Sequence, residues 1–174
     1  MSLLNQPLLC LALAATVMAS ACGFTPVHAP GGTGGALYGE VVITFPPPPN
    51  STGDRNAYFL VRDLEQRLGR TSSGDYQLDL TLSTRTEGQA ITADNSITRY
   101  SILGDADYSL TRQSDGQVVA SGTETNFTGY SATGSTVETL AGERDAYERL
   151  MRILADQISV RLLSTADLTA PAAE

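Results

Sequence analysis

The 174-residue sequence predicts an α+β fold: a two-layer sandwich in which two helices cover one face of a four-stranded, mostly antiparallel sheet. Two segments, at residues 54–69 and 136–164, carry apolar residues at the spacing of a helix. Three segments between them alternate apolar and polar residues, which is typical of strands with one buried face. A short apolar run before the first helix supplies a fourth strand, so the predicted order is β-α-β-β-β-α.

The N-terminus predicts export and lipidation. An apolar core at residues 8–18 is followed by small residues at 19–21, which is the pattern of a cleaved secretory signal. The core is too short to span a membrane, because a spanning helix needs about 20 apolar residues. Residues 19–22 resemble a bacterial lipobox, in which the cysteine becomes the first mature residue and is acylated. We expect residues 1–21 to be removed and Cys22 to be lipidated; the alternative is an ordinary signal that leaves a free thiol.

The mature chain divides into three parts. Residues 22–35 are rich in Pro and Gly and carry no charge, which predicts a flexible tether. The α+β domain is expected at residues 36–164, and residues 165–174 are expected to be a disordered tail. Only one cysteine remains after the signal is removed, so no internal disulfide can form and stability must come from packing.

The first strand and the first helix have clear limits. The strand is expected from Ala36 to the prolines at 46–49, since proline lacks the donor that a ladder needs. Its apolar residues are Leu37, Val41, Val42, Ile43 and Phe45. The helix is expected to begin with Asp54 as its cap and to end at Gly69. Its apolar stripe consists of Ala57, Val61, Leu64 and Leu68.

Three strands and a long helix complete the domain. One face of the second strand carries Tyr76, Leu78, Leu80 and Leu82, and one face of the third carries Tyr100, Ile102, Ala106, Tyr108 and Leu110. A polar connection at 87–96, whose flanks could extend into the strands, and a tight turn at 114–116 predict antiparallel pairing. The sequence leaves open which face of the fourth strand points inward. The apolar face of the last helix consists of Tyr147, Leu150, Met151, Leu154, Ile158 and Leu162.

Composition argues against several classes of function. The net charge of -8 argues against nonspecific nucleic-acid binding, which depends on basic groups that neutralise phosphates. The single histidine, His28, lies in the tether, and metal sites built from Cys and His are excluded by count. Asp105 and Asp107 could form an acid pair or a weak cation site, but solvated charges on a polar sheet face are the simpler interpretation. We expect neither enzymatic activity nor a cofactor.

Several segments resemble one known family. The mature N-terminus "CGFTPVH", the strand pair "ADYSLTRQSDGQVVASG" and the helix "ETLAGERDAYERLMRILADQI", in this order of elements, are similar to the LptE family of lipopolysaccharide-assembly lipoproteins in its alphaproteobacterial form. The resemblance implies a periplasm-facing, lipid-anchored protein of the outer membrane. It further implies that the chain sits inside the barrel of LptD, plugs it, helps it to assemble and contacts lipopolysaccharide.

Contact with lipopolysaccharide would require arginines near exposed apolar surface, because this lipid presents acidic groups beside acyl chains. Arg85, Arg99 and Arg112 lie on or beside strands and are the candidates; the alternative for each is a solvated arginine at a strand end. Gly23 stands where some bacteria use an Asp to retain lipoproteins in the inner membrane, which favours the outer membrane.

Two other functions remain open from the sequence. One is a periplasmic lipoprotein that acts as an accessory or binding module of another envelope transport system. The other is a lipid-anchored hydrolase, which would need a catalytic set without a structured histidine.

Overall fold

The computed structural model describes residues 26–29, 31–46, 51–91 and 97–168, with the side chains of 51–54, 90 and 91 left out. The elements in chain order are α1 (Thr33–Leu37), β1 (Val41–Thr44), α2 (Ser51–Leu68), β2 (Tyr76–Ile91), β3 (Ile97–Arg112), β4 (Val118–Ser131) and α3 (Thr136–Thr165). The expected signal at residues 1–21 and the expected lipidation site, Cys22, lie outside the described residues.

The four strands form one sheet in the order β1-β2-β3-β4. β1 runs parallel to β2, with Val41 opposite Tyr76, because α2 carries the chain back between them. The pairs β2 with β3 and β3 with β4 are antiparallel. The predicted α+β class and the mostly antiparallel sheet are therefore confirmed.

The first strand is shorter than predicted. It begins at Val41, whereas Leu37, expected on this strand, is the last residue of α1 and is fully buried. The backbone N–H groups of Gly35 and Ala36 both donate to the carbonyl oxygen of Gly32, which closes a helical turn instead of extending the strand. An apolar residue can reach the core from a helical turn as well as from a strand. The apolar character of Leu37 therefore could not show which of these two structures it belongs to.

α2 begins earlier than predicted, at Ser51, so Asp54 lies in its first turn instead of capping it. The expected end is confirmed: the helix ends at Leu68, and Gly69 follows with a φ of 81°. This left-handed backbone is the usual helix terminator, and it favours glycine because a Cβ would be strained there. The carbonyl oxygen of Leu68 then accepts from the N–H of Gly39 at 2.7 Å.

The core lies between the sheet and the two long helices. The predicted inward faces of β2 and β3 are confirmed, and they pack with α2 and α3 in one hydrophobic cluster. In β4 the even-numbered residues after the irregularity at its start face the helices, as the burial of Ala120 and Thr128 indicates. Gly104 of β3 allows α3 to approach closely, since a Cβ there would lie 3.0 Å from Leu150 and 3.2 Å from Leu154.

The long helix α3 has a well-defined start. The Ser135 hydroxyl accepts from the N–H of Glu138, and the Glu138 carboxylate accepts from the N–H of Ser135, which forms a capping box. The hydrogen bond from the Ser135 backbone lowers the pKa of Glu138. The helix ends at Thr165, and the N–H of Asp167 then donates to the carbonyl of Val119.

Ion pairs connect the outer surfaces of α2 and α3. Arg62 of α2 pairs with Asp63 at 2.7 Å and with Glu148 of α3 at 3.3 Å. Arg67 pairs with Asp156 at 2.5 Å. Asp63 is only 3% exposed, so Arg62 compensates a carboxylate that would otherwise be buried alone.

None of the helices in the described ranges is both long enough and apolar enough to cross a membrane. Within the same ranges, no three side chains of His, Cys, Asp or Glu come together as a metal site would require.

Candidate binding surface

One face of the sheet is not covered by either helix. We call it the uncovered face; it is formed by the odd-numbered residues of β2 and β3 and by the residues of β4 that pair with them. Its centre is polar and internally bonded: the Thr123 hydroxyl donates to Asp107 at 2.6 Å, and the Thr125 hydroxyl donates to Asp105 at 2.8 Å. The two aspartates therefore act as acceptors for neighbouring threonines, in agreement with the expected polar sheet face.

Arg85 lies on this face with its charge already balanced. Its guanidinium contacts Glu87 at 3.2 Å and Asp105 at 3.1 Å. An incoming anionic group would have to compete with two carboxylates for it, so Arg85 is poorly placed as a primary contact.

Arg99 lies near the start of β3 on the same face and is exposed. No ion pair joins it to any other residue in the described ranges. It lines a shallow depression of about 540 Å³ together with Gln89, Ser101 and Phe127. The Phe127 side chain is 67% exposed, so this depression combines a cationic group with apolar surface.

Arg112 is separated from the other two. It lies at the opposite end of β3 and is largely buried, paired with Asp115 at 2.9 Å and donating to the carbonyl of Leu168 at 3.2 Å. The backbone N–H of Gln117 and the nearby guanidinium both lower the pKa of Asp115. Arg112 holds the β3–β4 turn and the end of the chain together, and the structure does not bring it near Arg85 or Arg99.

The structure also brings together two arginines that were not among the candidates selected from the sequence. Arg55 of α2 and Arg144 of α3 line a small cavity of about 150 Å³ with Leu140, Glu143 and Tyr147. Tyr147 lies 3.4 Å from the hydroxyl of Thr86, which places this cavity toward the same end of the sheet as Arg99. The only signal in the sequence was two arginines near helix starts, and nothing in the pattern predicted that the two starts would meet.

A comparison with known protein families matches most of the domain to one family. A model of the family described as "LptE: Lipopolysaccharide-assembly" matches residues 41–162, from β1 to the last turn of α3. The chain belongs to the LptE family. The family consists of non-enzymatic lipopolysaccharide-assembly lipoproteins of the outer membrane, so the resemblance found in the sequence is confirmed. Among curated proteins, none matches this LptE-family chain.

Solved structures share the fold of this LptE-family chain. A protein described as a lipoprotein from Caulobacter crescentus is 20% identical with a TM-score of 0.56, covering 71% of this chain and 88% of its own. An uncharacterized lipoprotein B from Nitrosomonas europaea is 12% identical with a TM-score of 0.52, covering 74% and 86%. A Xanthomonas campestris protein is 18% identical with a TM-score of 0.50, covering 75% and 86%. At these identities the likeness concerns the fold alone.

Proposed function

We propose that this chain is an outer-membrane lipoprotein, anchored through acylated Cys22, that binds within an LptD-like barrel and supports the delivery of lipopolysaccharide to the outer leaflet. The observation that carries the proposal is the match of the LptE family model to nearly the whole domain. The proposed role consists of binding within the barrel, plugging it and helping it to assemble.

The uncovered face supports a role as a binding module. A sheet packed on one side leaves its second face available to a partner, and here that face is lined by small hydroxyl side chains. A barrel lumen is polar, with inward-facing residues that alternate with lipid-facing ones. A polar sheet surface of this kind is chemically suited to lie against such a wall.

The depression at Arg99 supports direct contact with lipopolysaccharide. Its arginine has no carboxylate partner among the described residues, and exposed Phe127 lies beside it. Phosphate or carboxylate groups can accept two parallel hydrogen bonds from a guanidinium, and an acyl chain would cover the aromatic ring. We propose Arg99 as the principal contact, Arg85 as a secondary one, and Arg112 as a residue that stabilises the turn.

The first test is purification of the native protein from detergent-solubilised outer membranes. We expect a large β-barrel protein to copurify at one-to-one stoichiometry, because the proposed plug would form a stable complex with its barrel. As a control, the variant Arg152→Ala changes a residue on the exposed side of α3. It should retain the barrel as well as the wild type does. Recovery of the chain alone, or with an inner-membrane transporter, would refute barrel binding and favour the accessory module of another transport system.

Arg99 gives a second, independent test. We expect Arg99→Ala to weaken binding of purified lipopolysaccharide by about tenfold, corresponding to roughly 1.4 kcal/mol for one charge-assisted contact. Arg85→Ala should have a smaller effect because Glu87 and Asp105 already occupy that guanidinium. Binding can be measured by calorimetry with lipopolysaccharide in detergent. Equal losses for the two variants would argue against a specific contact at Arg99.

A further inference from the structure

The described residues before β1 lie against the end of α3. Pro26 and Val27 line a depression of about 380 Å³ together with Leu163 and Ser164 of that helix. The carbonyl oxygen of Val27 accepts from the N–H of Gly34 at 2.9 Å, and α1, which contains Gly34, contacts α3. The position of Pro26 relative to the domain is therefore defined by two helices.

The proposed anchor is close to this segment in the chain. Cys22 precedes Pro26 by four residues. Four residues span at most about 14 Å when they are fully extended. In the proposed function the acyl chains on Cys22 lie in the bilayer, so the membrane surface lies within roughly this distance of Pro26.

The ends of several other elements meet beside this segment. α2 ends next to α1, since the carbonyl oxygen of Leu68 accepts from the N–H of Gly39. β2 begins and β3 ends there, with Tyr76 opposite Arg112. We call this region the anchor end. Arg99 and the start of α3 lie at the other end, thirteen positions along β3 from Arg112, which corresponds to about 43 Å.

A tyrosine is exposed at the anchor end. Tyr38 is 65% exposed, although Leu37 before it is fully buried. The Tyr38 N–H donates to the carbonyl oxygen of Gly34, so Tyr38 lies one helical turn from the residue that bonds Val27. The ring lies beside the end of α2, where a Cβ on Gly69 would be 3.6 Å from it. Tyrosine favours the boundary between headgroups and acyl chains, because its ring is apolar and its hydroxyl needs polar partners.

The charges at the anchor end indicate which lipids it can contact. Glu40 and Asp75 are both exposed there, on either side of the first pairing of β1 with β2. The Arg70 guanidinium, which follows α2, is already paired with Glu65 at 2.6 Å. Anionic headgroups would be repelled by the two carboxylates, so zwitterionic headgroups are the better partner.

We propose, on the basis of the acylated Cys22 in the proposed function, that the anchor end rests on the bilayer surface with Tyr38 among zwitterionic headgroups. One tyrosine does not hold a domain on a membrane by itself. The acyl chains therefore supply the binding, and Tyr38 determines which end of the domain faces the lipid. This contact leaves the uncovered face and the depression at Arg99 free, so it is compatible with binding within a barrel.

A tryptophan probe tests this orientation, because the sequence contains no Trp. The full mature, acylated chain with Tyr38→Trp is reconstituted into phosphatidylcholine vesicles whose acyl chains carry bromine, which quenches indole fluorescence on contact. We expect the fluorescence to fall roughly twofold relative to vesicles without bromine, and bromine near the headgroups should quench more than bromine near the chain ends. The matched control is Val137→Trp, at a site 77% exposed at the opposite end, and its fluorescence should not change.

Flotation of the vesicles separates failure of the anchor from failure of the orientation. A chain that does not float with the vesicles would refute the acylated anchor, and the membrane contact with it. A floating Tyr38→Trp variant that is quenched no more than Val137→Trp would overturn the membrane contact and leave the anchor in place. Anionic vesicles should reduce the quenching, since they repel Glu40 and Asp75; stronger quenching there would overturn the assignment of zwitterionic headgroups.

Discussion

Cys22→Ala is expected to move the protein almost completely from the membrane fraction to the soluble fraction. The several acyl chains of a mature bacterial lipoprotein hold firmly, because each buried CH₂ contributes about 0.8 kcal/mol. The domain itself is expected to remain folded, since the described core begins at Leu37, fifteen positions after Cys22. Fractionation of cells followed by immunoblotting measures the distribution directly, and circular dichroism of the released protein checks the fold.

The second cysteine of the sequence provides a matched control. Cys10→Ala changes a residue of the expected signal, which is removed on export, so membrane retention should equal that of the wild type. Equal retention of Cys22→Ala and the wild type would contradict the lipoprotein assignment of this cysteine. Release of both variants would instead indicate a general export defect.

Leu154→Ala is expected to produce the largest loss of stability. Leu154 is fully buried in α3, in the layer where that helix approaches Gly104. Removing a buried leucine costs about 2–5 kcal/mol, because the lost transfer free energy is added to the cost of the cavity. For a domain of this size, a loss of about 3 kcal/mol lowers the melting temperature by roughly 10 °C.

The matched control for this change lies on the same helix. Val137 is 77% exposed near the start of α3, so Val137→Ala should alter the free energy of unfolding by less than about 0.5 kcal/mol. Thermal unfolding of the two variants and the wild type makes the comparison. A loss below 1 kcal/mol for Leu154→Ala would mean that the contact between α3 and β3 is looser than the structure shows.

The sequence predicted those elements whose apolar residues repeat over many positions. The alternation in β2 and β3 and the stripe on α3 each continue through several residues, so an isolated exception does not change the interpretation. Short elements lack this redundancy, and Leu37 was therefore assigned to a strand although it ends a helical turn. The burial of Asp63 was also unforeseen, because it depends on how the helices pack; its partner Arg62 also pairs with Glu148 of the other helix.

The candidate surface was less predictable than the fold. Residue type selected Arg85, Arg99 and Arg112 equally, but their availability depends on which carboxylates and carbonyls lie nearby in three dimensions. Arg85 faces Asp105, twenty positions away in the chain, and Arg112 contacts the carbonyl of Leu168, fifty-six positions away. Such distant contacts have no local signature, whereas the polar character of the whole face followed directly from alternation.

The short parallel strand β1 determines how mechanical tension would enter the domain. A pull on the N-terminal segment reaches the sheet through four residues, Val41–Thr44, which are joined to β2 along its first four positions. A force along the strand axis would load these pairings together in shear instead of opening them one at a time. The strand nearest the expected anchor is thus the shortest strand of the sheet, and its pairing geometry resists peeling under such a force.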